Sequence, residues 1–263
     1  MKYAPLALVA ALSGLALLTV PAEADAFDLQ IAVGAKGGVN MVAGQAMPDD
    51  SRMTSEQGNE VFFPKPEYYG HFGAGPKGGL SLELRALGFV GLETGFYYAS
   101  DQASGYVDKN DALSGRTIAR IHSEQVSTAY HVPLMLKFRV PSPMVSPVFG
   151  IGAEFIFQTD STLEYREEQR AGSMGGLANQ LNARNQIEPS NYTLLTLSAG
   201  LEISVGPVRI PVELRMGYNL GFDQAMRERA TYDESSGEIT YDGKYQGHVG
   251  VFTGVLYEFD LLL

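Results

Sequence analysis

Residues 194–218 read LLTLSAGLEISV, then GP, then VRIPVELRMGY, and their alternation decides the fold. Leu195, Leu197, Ala199, Leu201, Ile203 and Val205 alternate with Thr196, Ser198, Gly200, Glu202 and Ser204. After Gly206-Pro207 the same rhythm returns: Val208, Ile210, Val212, Leu214, Met216 and Tyr218 against Arg209, Pro211, Glu213, Arg215 and Gly217. Successive side chains of a strand point to opposite faces, so period two predicts two strands. The short Gly-Pro connection makes them a hairpin. One face is apolar and the other carries Glu, Arg, Ser and Gly.

The pattern recurs outward from this hairpin. Upstream it marks strands over 27–42, around 80–86, 90–98, 130–140 and 149–157, and downstream one over 249–261. About eight strands result, joined alternately by tight turns and by long polar connections at about 43–70, 100–120, 160–190 and 223–244. Part of the third connection, near 163–170, is read as a short helix. All long connections fall at one end and all short ones at the other. The expectation is one all-β domain over 27–263, an antiparallel up-and-down barrel. Pro133 and Pro211 disturb it, because each removes a ladder donor.

Composition narrows the function. The formal charge of −11 argues against a general nucleic-acid binder. The absence of Cys removes disulfides, thiolate nucleophiles and thiolate metal sites. Residues 1–26 carry Lys2, an apolar run and a small-residue site with Ala24 and Ala26. That is the plan of a cleaved signal peptide rather than a transmembrane anchor, since the run breaks at Pro21.

Alternation alone allows the apolar face to meet either a core or lipid. Three features favour lipid. Gly crowds the polar face beside long charged groups, as a narrow lumen requires. Aromatics collect at the strand ends. Tyr97, Tyr98, Tyr130, Tyr192, Tyr218 and Tyr245 lie toward the long connections, and Phe27, Phe89, Phe138, Tyr257 and Phe259 toward the turns. The asymmetry of loop lengths matches a barrel inserted from one side. On this pattern the chain resembles the small outer-membrane β-barrel proteins of Gram-negative bacteria, similar in plan to OmpX and the OmpA transmembrane domain. The resemblance is sharpest at 253–259, where Thr253, Gly254, Tyr257 and Phe259 are similar to the C-terminal β-signal read by the barrel-assembly machinery. The family commonly ends on an aromatic, whereas here Asp260 and three leucines follow. Residence in the outer membrane among lipid and lipopolysaccharide is what the resemblance implies.

Parity places Lys36, Arg85, Lys137, Arg139, Arg209 and Arg215 on the polar face with Glu83, Glu93, Glu154, Glu202, Glu213 and Glu258. The two signs balance, so a lumen closed by its own ion pairs is expected, with Glu202 diagonal to Arg209 as the first pair. Other chemistry is thin. His122-Ser123-Glu124 invites comparison with a lipid hydrolase, but adjacent strand residues face opposite ways, and a polar rim segment is the plainer reading. His131 and His248 share the polar face without a ligand set. Asp108, Asn110 and Asp111, and the acidic fourth connection, offer oxygen ligands without a metal-loop pattern. Arg166, Arg170 and Arg184 have the chemistry for lipid phosphates. The expected role is therefore structural or surface-interacting, with no enzyme activity, cofactor or metal. A narrow solute channel and a lipid hydrolase are the alternatives.

Overall fold

The structure is a computed structural model describing residues 29–44, 53–55, 60–61, 70–110, 117–169, 176–221, 230–233 and 235–261. The signal peptide, Phe27, Asp111 and Arg170 lie outside the described residues. In chain order the elements are β1 (Leu29–Gly44), β2 (Met53–Ser55), β3 (Glu60–Val61), β4 (His71–Ala86), β5 (Val90–Asn110), β6 (Thr117–Arg139) and β7 (Val145–Gln169). They continue with α1 (Leu177–Arg184), β8 (Asn185–Glu188), β9 (Tyr192–Val205), β10 (Val208–Tyr218), β11 (Ala230–Tyr232), β12 (Ile239–Asp242) and β13 (Gly247–Leu261).

Eight strands close into a barrel in the order β1-β13-β10-β9-β7-β6-β5-β4, with β4 returning to β1. Each pairs antiparallel with its neighbours, and Leu29 faces both Leu261 and Ala86 across the seam. The hairpin registers Val205 with Val208 and Gly200 with Glu213. Closure brings backbones very near at the inner face of β1. A Cβ on Gly34 or Gly38 would lie 1.9 Å from a carbonyl oxygen of β13, so only glycine fits. The prolines are accommodated by local gaps. Val132 and Pro133 have no partner in the β5–β6 ladder, and Ile210 and Pro211 have none in the β10–β13 ladder, while their other ladders run on.

The apolar face is the outside. Val33, Leu80, Leu92, Leu136, Ile151, Leu197, Leu214 and Val251, one from each strand, are all more than two-fifths exposed. A belt of that extent in water would be far larger than the apolar patches soluble proteins carry. In hydrocarbon it is the required surface, and closure leaves the sheet no free edge there, the ladder being interrupted only locally, as at the prolines. Tyr98, Tyr130 and Tyr218 stand outward at the loop end, and Phe89, Phe138, Tyr257 and Phe259 at the turn end. Tyr97, Tyr192 and Tyr245 do not belong to the girdle. They are buried inside, Tyr97 sharing the parity of Glu93 and Tyr192 that of Leu194.

The long connections differ most from expectation. Residues 100–110 and 117–120 are strand, and β7 runs through the place assigned to a helix, so β5, β6 and β7 reach 21, 23 and 25 residues against 11 for β10. Their upper halves form a wall above the barrel. Polar and small residues occupy both faces there, which hides the alternation without abolishing it.

The inner side of this wall is covered. Helix α1 packs Ala178 and Leu181 against Ile121 and Tyr165. Asn182 fixes it by accepting from the Tyr165 amide at 2.7 Å and donating to the Tyr165 carbonyl at 2.9 Å. A second sheet, ordered β3-β2-β11-β12-β8, is drawn from the first, third and fourth long connections. It includes parallel pairs between β2 and β11 and between β8 and β12. It is tied to the barrel strands at Gly243, just past β12, whose carbonyl accepts from Gln125 at 3.0 Å and Gln158 at 2.9 Å, and at Asn185 of β8, which donates to the Tyr165 hydroxyl at 3.0 Å.

Candidate functional site: the charged lumen and its cap

Inward residues of the barrel form layers from the turn end upward. In the lowest, Arg85 on β4 donates to Glu83 at 2.6 Å, Glu258 at 2.9 Å and Glu202 at 3.1 Å. Arg209 donates through Nε to Glu258 at 3.0 Å, and Arg139 lies 3.3 Å from Glu202. The expected Glu202–Arg209 pair is not formed. Arg209 turns to the neighbouring strand β13, and Glu202 is taken by arginines from across the lumen, which is narrow enough for β4 and β6 to reach β9.

The next layer is driest. Glu93 and Glu213 are held between Lys36, Lys137 and Arg215, with Lys36 at 2.7 and 3.0 Å, Lys137 at 2.6 and 2.5 Å and Arg215 at 2.5 and 2.6 Å respectively. All five side chains are at most 5 % exposed. Charges taken from water at this depth cost several kcal/mol each unless paired and hydrogen-bonded, and here every one is shared. Above it, Glu154 pairs with Lys77 and accepts from His131 Nδ1 at 2.7 Å. Lys77 also sits 5.1 Å from the centroid of Phe252.

The top layer is neutral apart from Asp101. Asn40 donates to Asp101 at 2.9 Å and to His248 Nδ1 at 3.0 Å, and Tyr192 meets His248 Nε2 at 2.9 Å. The His131 and His248 rings are 5.7 Å apart. Val42, Ala103, Ala129, Ile156, Leu194 and Tyr245 then seal this layer under the second sheet.

All twelve lumen charges singled out in the sequence face inward, Arg139 and Arg209 less deeply than the others. Lys77 and Asp101 join them from just beyond the strand limits read in the sequence. Parity carried two or three residues further, through Gly78-Gly79 and past Ala99, finds both. Thr253, Gly254, Tyr257 and Phe259 lie on β13, with Thr253, Tyr257 and Phe259 on its lipid side.

His122 and Ser123 are not brought together. Ser123 is buried inside with Oγ directed to the Gly105 carbonyl, whereas His122 is outside, 3.4 Å from Glu168. Among the described residues no group of three or more His, Asp or Glu is placed to hold a metal ion. In the fourth connection Asp233 instead accepts from the Ser235 amide and the Ser235 and Ser236 hydroxyls, and Asp242 pairs with Lys244.

The chain has the plan of a small outer-membrane β-barrel. No protein-family model and no curated protein sequence matches it. Solved structures that align with it include Neisserial surface protein A, at 11 % identity and TM-score 0.34 over 88 % of this chain and 97 % of that one. OprG of Pseudomonas aeruginosa aligns at 11 % identity and TM-score 0.39, over 89 % and 96 %. Ail of Yersinia pestis, solved with the heparin analogue sucrose octasulfate, aligns at 11 % and 0.28, over 89 % and 100 %. These are likenesses of plan, and the fold rests on the ladder and the belt described above.

Proposed function

We propose that the protein is a sealed outer-membrane barrel whose work is done by its outer surface and not through its lumen. The observation that carries this is the stack of shared ion pairs filling the bore, closed above by α1 and the second sheet. A barrel of eight strands has room for side chains but not for a wide aqueous path. Here the side chains are mutually neutralising and leave no run of one sign for a permeant ion to follow. The wall of β5, β6 and β7, backed by a packed inner side, is the rigid support on which surface-binding residues would stand. Export through residues 1–26, delivery by the barrel-assembly machinery through Thr253, Gly254, Tyr257 and Phe259, and residence among lipid and lipopolysaccharide complete the reading. No enzyme activity is assigned, and the separation of His122 from Ser123 supports that.

The test is conductance. The purified full-length barrel in planar bilayers should insert without stable open steps. Porin-like steps in the wild type would overturn the sealed-lumen reading and promote the channel.

A further inference from the structure

Between β12 and β13 the chain descends from the second sheet into the barrel mouth as residues 243–246, which lie outside both strands. The upper end of this strap is the Gly243 carbonyl, held by Gln125 and Gln158. At its lower end the Gln246 amide donates to the Ala43 carbonyl at 2.8 Å, and the Gln246 carbonyl accepts from the Asn219 amide at 2.9 Å. Between the two ends Tyr245 is fully buried, its ring edge-on to His248 with centroids 5.9 Å apart.

His248 stands at the foot of the strap with both ring nitrogens committed. One amide nitrogen, that of Asn40, donates to Nδ1 at 3.0 Å and to the Asp101 carboxylate at 2.9 Å. Nδ1 is therefore the bare nitrogen, and Nε2 carries the hydrogen toward the Tyr192 oxygen at 2.9 Å. A second proton has no place on this ring. On Nδ1 it would face the Asn40 amide hydrogens. Turning that amide over would set its oxygen against the Asp101 carboxylate instead.

The surroundings give an imidazolium no relief. Among the described residues, the charged and titratable groups around it are Lys77 on β4, Asp101 on β5, His131 on β6, Glu154 on β7, Tyr192 on β9 and Tyr245 on the strap. Asp101 is committed to Asn40, and Glu154 to Lys77 and His131. The directly registered neighbours on β1 and β10 are Val42 and Gly217, which offer no charge. We propose that residues 243–246 form an acid-released strap: protonation of His248 expels Tyr245 from the barrel mouth and lets the second sheet lift from the wall. The strap yields before the wall, because the wall strands are held by ladders to one another. The ion-paired layers beneath keep the bore closed in either state.

An imidazole in water takes up its proton near 6.5. The released state has such a ring and the closed state holds it neutral, so closure is complete above that value and weakens as pH falls below it. One histidine changes the ratio of released to closed molecules by up to tenfold per pH unit, or about 30-fold between pH 6.5 and 5.0.

The chain has no cysteine, so a pair of introduced ones can be spin-labelled selectively. Gln186 on β8 and Thr162 on the outer side of β7 are both exposed, and Gln186→Cys with Thr162→Cys reports the distance between second sheet and wall. Pulsed electron–electron distance measurement on the full-length barrel in lipid should give one narrow distribution at pH 7.5. At pH 5.0 a longer, broad component should appear, and it should vanish on return to pH 7.5. His248→Gln can accept from Asn40 and donate to Tyr192 but takes no proton, so its distribution should stay narrow at both values. If His248→Gln is not narrow at pH 7.5, His248→Phe, which keeps a ring against Tyr245, is read in the same way. A wild type that stays narrow at pH 5.0, or broadening at pH 5.0 in the proton-less variant equal to that of the wild type, would overturn the proposal.

Discussion

Arg209 and Glu202 stand diagonally across one hairpin, yet Arg209 donates to Glu258 and Glu202 is held by Arg85 and Arg139. Pairing inside a narrow barrel is thus set by reach across the bore as much as along the sheet. Double-mutant cycles should show it. Arg209→Ala and Glu258→Ala should couple by about 1–3 kcal/mol in a reversible folding assay in lipid, more strongly than Arg209→Ala with Glu202→Ala. Equal couplings would restore the adjacent pair. In the driest layer, Glu93→Ala leaves Lys36, Lys137 and Arg215 to share Glu213 alone and should cost about 3–5 kcal/mol by the same assay. The identities of these charges were legible from parity, because a period of two assigns a face without any knowledge of depth. Their partners were not, since the sequence does not say which side chains meet across the bore. Tyr97 and Tyr192 show the same limit from the other side: their parity was inward, but their chemistry suited the girdle equally well.

Among the elements, the turn between β4 and β5 is built from Leu87 and Gly88, both with positive φ, at 55° and 68°. Such a turn suits the twist of a hairpin and favours Asn-Gly, whereas leucine is strained there. Leu87→Asn should raise stability by about 1 kcal/mol, read as a shift in the urea midpoint of folding in lipid. At the opposite end, the turn joining β11 to β12 is tied by Asp233. The Ser236 hydroxyl, with the Ser235 amide and hydroxyl, holds its carboxyl down at about 2 from the ordinary 3.8. A depressed folded-state pKa means that the stabilisation is present above 3.8 and fades as pH falls toward 2. A carboxyl-carbon NMR titration of this residue should find the midpoint near the lower value. The barrel strands were legible because the bilayer requires one apolar face. The upper parts of β5, β6 and β7, and all of the second sheet, were not. Above the membrane neither face has to be greasy, and β2, β8, β11 and β12 pair through partners far away in sequence.

At the scale of the whole molecule, depth in the bilayer should govern sensitivity on the outside of the barrel. Leu214→Arg, within β10, should lower stability by roughly 2–4 kcal/mol, whereas Leu220→Arg, just past the end of that strand, should cost roughly 0–1 kcal/mol. Similar losses at both positions would mean that β10 does not cross where the belt places it. The rim itself is uneven, since three neighbouring strands run on while β10 stops after 11 residues. At about 3.3 Å per residue, the 25 residues of β7 trace a path roughly 80 Å long, more than twice that of β10. Seen from outside the cell, such a molecule has a front and a back. An antibody or phage tail descending on it touches the crest of the tall side first.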